Sequence, residues 1–256
     1  MHRPTAALAL CAGLLLALPA ARADVSESFD RTIPLAADGF FEIENVNGFV
    51  HITAWDRPEV RIQAVKHAKD AEGLRDIVID IESRSNAVEV DARLPKDKNA
   101  RVDYEISLPR GAALDAELVN GPLDIAGIEG ALDVAAVNGQ VTVRGAKSSV
   151  DAETVNGDLS VGFSADARPD ADLESVNGRL SIFLPPSVAG EFDAETVNGG
   201  IETDFPLEVR KARFGPMSSL EGRLGQGGGA FDLETVNGQI RILTTEHVEA
   251  KVVEYH

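Results

Sequence analysis

Asp151-Ala152-Glu153-Thr154-Val155-Asn156-Gly157-Asp158-Leu159 is the stretch whose reading decides the fold, because close copies of it recur along most of the chain. Val-Asn-Gly occurs seven times, with its Asn at 47, 120, 138, 156, 177, 198 and 237. The last six copies share an Asp five residues before the Asn: Asp115, Asp133, Asp151, Asp172, Asp193 and Asp232. In the first copy Glu42 holds that place. Successive steps from Asn120 onward are 18, 18, 21, 21 and 39 residues. A period of this size marks stacked repeats. The long step equals about two short ones, and Leu220-Glu221-Gly222-Arg223-Leu224 is expected to be a degenerate copy within it.

With the Asn as position 0, positions −6 and −4 are apolar in the last six copies, for example Leu132 and Val134, or Phe192 and Ala194. Position +3 is apolar throughout, and +5 is apolar in all but Thr203. Position −5 is acidic, and −3 is Glu in every one of these copies but one, where it is Ala135. Alternation with period two on both sides of a turn is the mark of strands with one buried and one wet face. Asn-Gly between them supplies the positive backbone torsions of a tight reversal or corner.

The pattern predicts an all-β protein and admits two architectures. One is a β-solenoid-like stack of 18–21-residue repeats, in which Asn-Gly is a corner and equivalent residues lie about 4.8 Å apart. The other is an antiparallel hairpin meander or barrel, in which Asn-Gly is a two-residue turn. Identical turns favour stacking, since amides in a column bond to one another. Stacked Asp residues oppose it, since like charges on paired strands repel.

Four regions are expected. Residues 1–23 read as a signal peptide, with Arg3, an apolar run from Ala6 to Leu18, Pro19, and Ala21-Arg22-Ala23 as the cleavage site. Residues 24–110 form an N-terminal β region containing the first repeat, with a turn at Trp55-Asp56-Arg57-Pro58, a hairpin through Ile77–Val90 and a strand from Val102 to Leu108. Residues 111–245 are the repeat array, and 246–256 a polar tail. The signal carries Cys11, the sole cysteine, so the exported chain has neither disulfides nor thiolate chemistry. It also carries two arginines and no acid, leaving 22 basic against 42 acidic residues, a net charge of −20. That balance argues against nucleic acid and anionic membrane surfaces as partners, and no transmembrane segment is expected in the mature chain.

The unit Asp-Φ-Glu-Thr-Val-Asn-Gly-x-Φ-x-Φ (Φ apolar), the ending Glu221–Gly229 through Thr235–Ile240, and the opening Glu44–Val50 through Ala54-Trp55-Asp56 resemble the DUF4097 family of adhesin-like proteins. The likeness spans nearly all of the mature chain. It implies a β-solenoid-like, exported or envelope-associated protein, periplasmic or at the cell surface, and it tips the architecture toward the solenoid.

Little in the sequence builds a catalytic site. His51, His67, His247 and His256 are scattered and lack metal-ligand spacing. Gly225, Gly227, Gly228 and Gly229 lack the Lys and Ser/Thr of a phosphate loop and read as a flexible or closely packed loop. No cofactor is expected, and the chain does not read as an enzyme. The candidate site is an acidic stripe comprising Asp115, Asp133, Asp151, Glu153, Asp172, Glu174, Asp193, Glu195, Asp232 and Glu234. Paired carboxylates also suit a hard cation such as calcium. The expected function is a non-enzymatic scaffold binding a protein or glycan of the cell envelope. The alternatives are a cation-binding or polysaccharide-acting protein using the stripe, and a purely structural spacer.

Overall fold

The computed structural model describes residues 25–95, 100–211 and 215–245. The expected signal peptide and polar tail lie outside these residues. Strands β1 (Val25–Pro34), β2 (Phe40–Asn47), β3 (Val50–Trp55) and β4 (Glu59–Ala68) lead to a short helix, α1 (Ala71–Arg75). The hairpin β5 (Val78–Arg84) and β6 (Ala87–Arg93) follows, then β7 (Arg101–Pro109). The array proper comprises β8 (Ala113–Asn120), β9 (Leu123–Ala126), β10 (Leu132–Asn138), β11 (Val141–Ala146), β12 (Val150–Asn156), β13 (Leu159–Phe163), β14 (Ala171–Asn177) and β15 (Leu180–Leu184). It continues through β16 (Gly190–Asn198), β17 (Ile201–Thr203), β18 (Val209–Lys211), β19 (Ser218–Leu224), β20 (Gly229–Asn237) and β21 (Ile240–Thr244).

In each copy the strand before Asn-Gly belongs to an eleven-stranded sheet and the strand after it to a ten-stranded sheet. Asn-Gly is therefore a corner between sheets. The hairpin alternative fails at this point, since β10 pairs with β8 and β12, both parallel, and not with its own continuation β11. Register is strict: Asn120, Asn138 and Asn156 are direct partners, as are Asp115, Asp133 and Asp151. The fold is an all-β solenoid of two facing, largely parallel sheets, with the alternating apolar positions filling the space between them. In two rungs large and small residues compensate. Ala171 at −6 accompanies Leu173 at −4, while Phe192 accompanies Ala194, all buried.

Two features explain why the corner is always Asn-Gly. The amides form a directional ladder, each Asn Nδ2 donating to Oδ1 of its neighbour. Asn120 donates to Asn47 (2.9 Å), Asn138 to Asn120, Asn156 to Asn138 and Asn177 to Asn156 (each 3.0 Å), Asn237 to Asn177 and Asn198 to Asn237 (both 2.9 Å). Asn47 closes the series on the carbonyl of Ala100 at 3.3 Å. The glycines are packed backbone on backbone. A Cβ on Gly157 would lie 1.8 Å from the carbonyl oxygen of Gly139, and the corresponding distances run from 1.7 Å at Gly199 and Gly238 to 2.1 Å at Gly48. Torsion is the lesser part of the requirement. Gly48, Gly121 and Gly178 have φ of 122°, 138° and 156°, but the steric demand holds at all seven corners.

The order of rungs in space departs from the order in sequence. Strand β20 lies between β14 and β16, and β21 between β15 and β17. The corner at Asn237 is thus inserted between those at Asn177 and Asn198, where Phe231 stacks on Phe192 with ring centroids 4.4 Å apart. The expected degenerate copy is not a rung. Leu220–Leu224 falls in β19, which runs antiparallel along β16 with Leu220 opposite Ala194. Lacking Asn-Gly, it has no amide to join the ladder, and the chain uses it to cover the end of the eleven-stranded sheet. At the other end β5 covers that sheet, and β4 followed by β1 covers the ten-stranded one, all antiparallel. Such covers are what an otherwise open stack requires.

Gly157→Ala, and more strongly Gly157→Val, is expected to destabilise the protein by about 2–3 kcal/mol and lower Tm by roughly 5–10 °C, because two backbones must separate. Asn156→Ala, which cuts two solvent-exposed ladder bonds, is expected to cost about 1 kcal/mol. Thermal and urea unfolding measure both, and a Gly157→Val protein as stable as the parent would refute the packing argument.

Candidate functional site

The outer face of the eleven-stranded sheet carries the acidic stripe, and strict register turns it into two columns. Position −5 contributes, in spatial order, Glu42, Asp115, Asp133, Asp151, Asp172, Asp232 and Asp193, each a direct partner of the next. Position −3 contributes Glu44, Glu117, Ala135, Glu153, Glu174, Glu234 and Glu195 in the same order. All ten stripe residues picked from the sequence lie in these columns. The columns also extend further than the stripe. Glu89 and Asp91 of β6 continue them beyond Glu42 and Glu44, and Glu82 and Asp80 of β5 continue them again. At the opposite end Glu221 lies beside Asp193.

Basic residues are distributed unevenly over the molecule. Across the ten-stranded sheet and its loops, Arg144 pairs with Asp124 (2.6 Å), Arg179 with Asp158 (3.4 Å), Arg241 with Glu202 (3.3 Å) and Lys147 with Asp166 (3.0 Å). On the acidic face the bases stay at the ends, where Arg84 meets Glu82 and Glu89, Arg93 meets Asp80, and Arg210 meets Glu221. Between Glu42 and Asp193, no ion pair to either column forms among the described residues.

The consequence is electrostatic frustration. Partial burial, followed by the neighbouring carboxylates, raises Glu42, Asp115, Asp151, Glu174 and Asp232 above the usual carboxylate range. For Asp151 the neighbours are Asp133, Asp172 and Glu153; for Glu174 they are led by Glu153 and Asp172. Among the described residues no three carboxylate, imidazole or thiolate groups converge closely enough to hold a metal ion. The columns present one acid each per rung, a uniform strip and not a local cluster.

A feature that sequence reasoning missed lies beside the Glu column. Position −1 is Val in every copy, and all seven valines point outward, with exposures from 40% at Val119 to 49% at Val197. Between the Glu wall and the Val ridge runs a groove of about 400 Å³ that crosses all seven rungs, floored by the buried position −2 residues such as Thr154, Ser175 and Thr235. The signal was present in the invariance of the valine, but a Val inside Val-Asn-Gly reads as strand propensity.

The glycine-rich loop is closely packed at Gly228 and Gly229 and open at Gly227, where an added Cβ would meet nothing. A Cβ on Gly228 or Gly229 would lie 1.7 Å from the carbonyl of Ala189 or Pro169, respectively. His51 and His67 stand apart from the acidic columns, beside Asp124 (3.9 Å) and Asp103 (3.1 Å). Trp55 is half-buried and donates its indole N–H to the carbonyl of Glu59 at 2.7 Å, so it secures its own turn.

The raised carboxylates set the sign of the pH dependence. Their protons are held more tightly in the folded than in the unfolded chain, so stability falls as pH rises from the ordinary carboxylate range through the folded values. Asp30 and Asp166, held low by Arg61 and Lys147, act oppositely and only at lower pH. Tm is expected to be higher near about pH 5 than near about pH 7.5, with the gap narrowing in roughly 1 M salt and in an Asp115→Asn/Asp151→Asn/Asp232→Asn protein. A melting temperature that rises between those two pH values would contradict the frustration described.

No family model matches the sequence, and no curated protein matches it. The structure is similar to that of a "putative cell adhesion protein" from Clostridium sporogenes, at 11% identity and a TM-score of 0.47, over 86% of this chain and 100% of the other. It is also similar to a "putative adhesin" from Bacteroides fragilis, at 11% identity and a TM-score of 0.38, over 85% and 97% of the two chains. Among the described residues, no helix is long and apolar enough to cross a membrane.

Proposed function

We propose that this chain is an exported, non-enzymatic β-repeat scaffold that acts as an adhesin-like binding protein of the cell envelope. Its partner, a protein or glycan, is engaged through the outer face of the eleven-stranded sheet. The observation that carries this reading is the pair of acidic columns left without basic partners between Glu42 and Asp193. A folded chain gains nothing from such columns by itself, since neighbouring like charges on paired strands are unfavourable. A complementary, positively charged partner relieves them. The resemblance to DUF4097 proteins in the repeat unit, and the signal-like residues 1–23, support export and an envelope setting.

The test is capture from an envelope extract by the parent and by an Asp133→Asn/Asp151→Asn/Asp172→Asn protein. The parent is expected to retain a partner that the variant loses, with retention falling as ionic strength rises. Retention of nothing by either protein, or of the same partners by both, would count against the reading.

A further inference from the structure

The valine ridge is not needed by the fold. A position that is outward on a wet sheet face and demands only strand propensity is served equally by Thr, yet seven rungs in succession place Val there. Stacked in register, these side chains make a continuous apolar line, of the kind that marks a contact surface when it is rimmed by polar groups. One rim is the Glu column, about 7 Å away along each strand. The groove between them has Asp91 at one end and Met217 at the other, and lies along the stack axis, perpendicular to the strands.

Spacing and charge together choose the occupant. Rungs repeat about every 4.8 Å. An extended chain laid along the groove offers side chains on one face about every 6.7 Å, and falls out of step by about 2 Å at each rung. An α-helix advances about 5.4 Å per turn, a mismatch of about 0.6 Å per rung, which long lysine and arginine stems absorb. Seven rungs span about 29 Å, the length of about 19 helical residues.

We propose that this groove is the docking site of a basic amphipathic α-helix supplied by a partner protein. Its apolar row packs on the ridge through Val119, Val137, Val155, Val176 and Val236. The Lys/Arg row beside it reaches Glu117, Glu153, Glu174, Glu234 and Glu195. At Ala135 the wall loses one carboxylate, and the helix meets a small apolar residue there. This deepens the acidic-face reading and rests on it.

The test uses the whole protein and two fluorescent 19-residue peptides of identical Leu and Lys content, one patterned with helical period and one with period two. The helical-period peptide is expected to bind at least about 10-fold tighter than its permuted counterpart, and to gain helical circular dichroism on binding. Binding is expected to weaken at least about 10-fold when Val137→Thr/Val155→Thr/Val176→Thr removes the ridge. These sites are exposed, so an unchanged Tm should confirm the variant's fold; a third peptide with Lys replaced by Glu, expected not to bind, probes charge with the parent alone. Equal binding of the two Lys peptides, equal binding by parent and ridge variant, or binding of the Glu peptide overturns the helix proposal. Loss of the helix result with Asp-dependent capture of an envelope partner intact refutes the occupant and leaves the acidic-face reading standing, whereas loss of Asp-dependent capture removes both.

Discussion

Everything in this molecule depends on how closely successive rungs approach at the corner. There the chain passes from one sheet to the other while the carbonyl of the neighbouring rung occupies the space where a Cβ would project. Only glycine permits that approach, and the preceding Asn ties the same two rungs through its side chain. Steric necessity and the amide ladder act on adjacent residues, so a slip in register would violate both. The facing sheets then inherit a common register, and the alternating apolar residues meet in layers.

The same register creates the molecule's electrostatic character. Parallel, in-register strands place each residue beside its own counterpart, so any acid retained by the repeat becomes a column. An antiparallel sheet built from the same segment would have opposed Asp to other residue types. On the ten-stranded sheet the repeat varies outside the core, and opposite charges meet there, as at Arg144 with Asp124. On the eleven-stranded sheet the repeat is nearly invariant, and repulsion accumulates until the end strands bring Arg84, Arg93 and Arg210.

The parts of the fold governed by local pattern were legible in the sequence. Period-two alternation around each Asn-Gly identified the strands, their buried faces and the acidic stripe residue by residue. Alternation is the same for a hairpin and a corner, so the resemblance of the repeat to a known family was needed to favour stacking. Spatial order was not legible, because the 39-residue step after Asn198 looks like two periods whether the chain goes forward or doubles back. The pair Phe192 and Phe231, the two aromatic residues at −6 in the array, stack together and are the trace of that neighbourhood in hindsight. The outer ends of the columns were not legible, because Asp80 and Asp91 belong to no repeat. The valine ridge escaped because its residue type suits a strand whether it is covered or bare.

The inserted rung has a consequence for how the chain comes into being. A simple solenoid can grow as it emerges, each new coil settling on the one before. Here β16 and β17 precede in sequence the coil that separates them from β14 and β15, so the finished order of rungs is not the order of synthesis. In the finished stack β16, β19 and β18 pair antiparallel among themselves, whereas β17 pairs only with β21, so β20 and β21 join that end of the array to β14 and β15. The neighbour that β14 and β16 share is thereby supplied by the last strands of the array, and the two do not pair with one another.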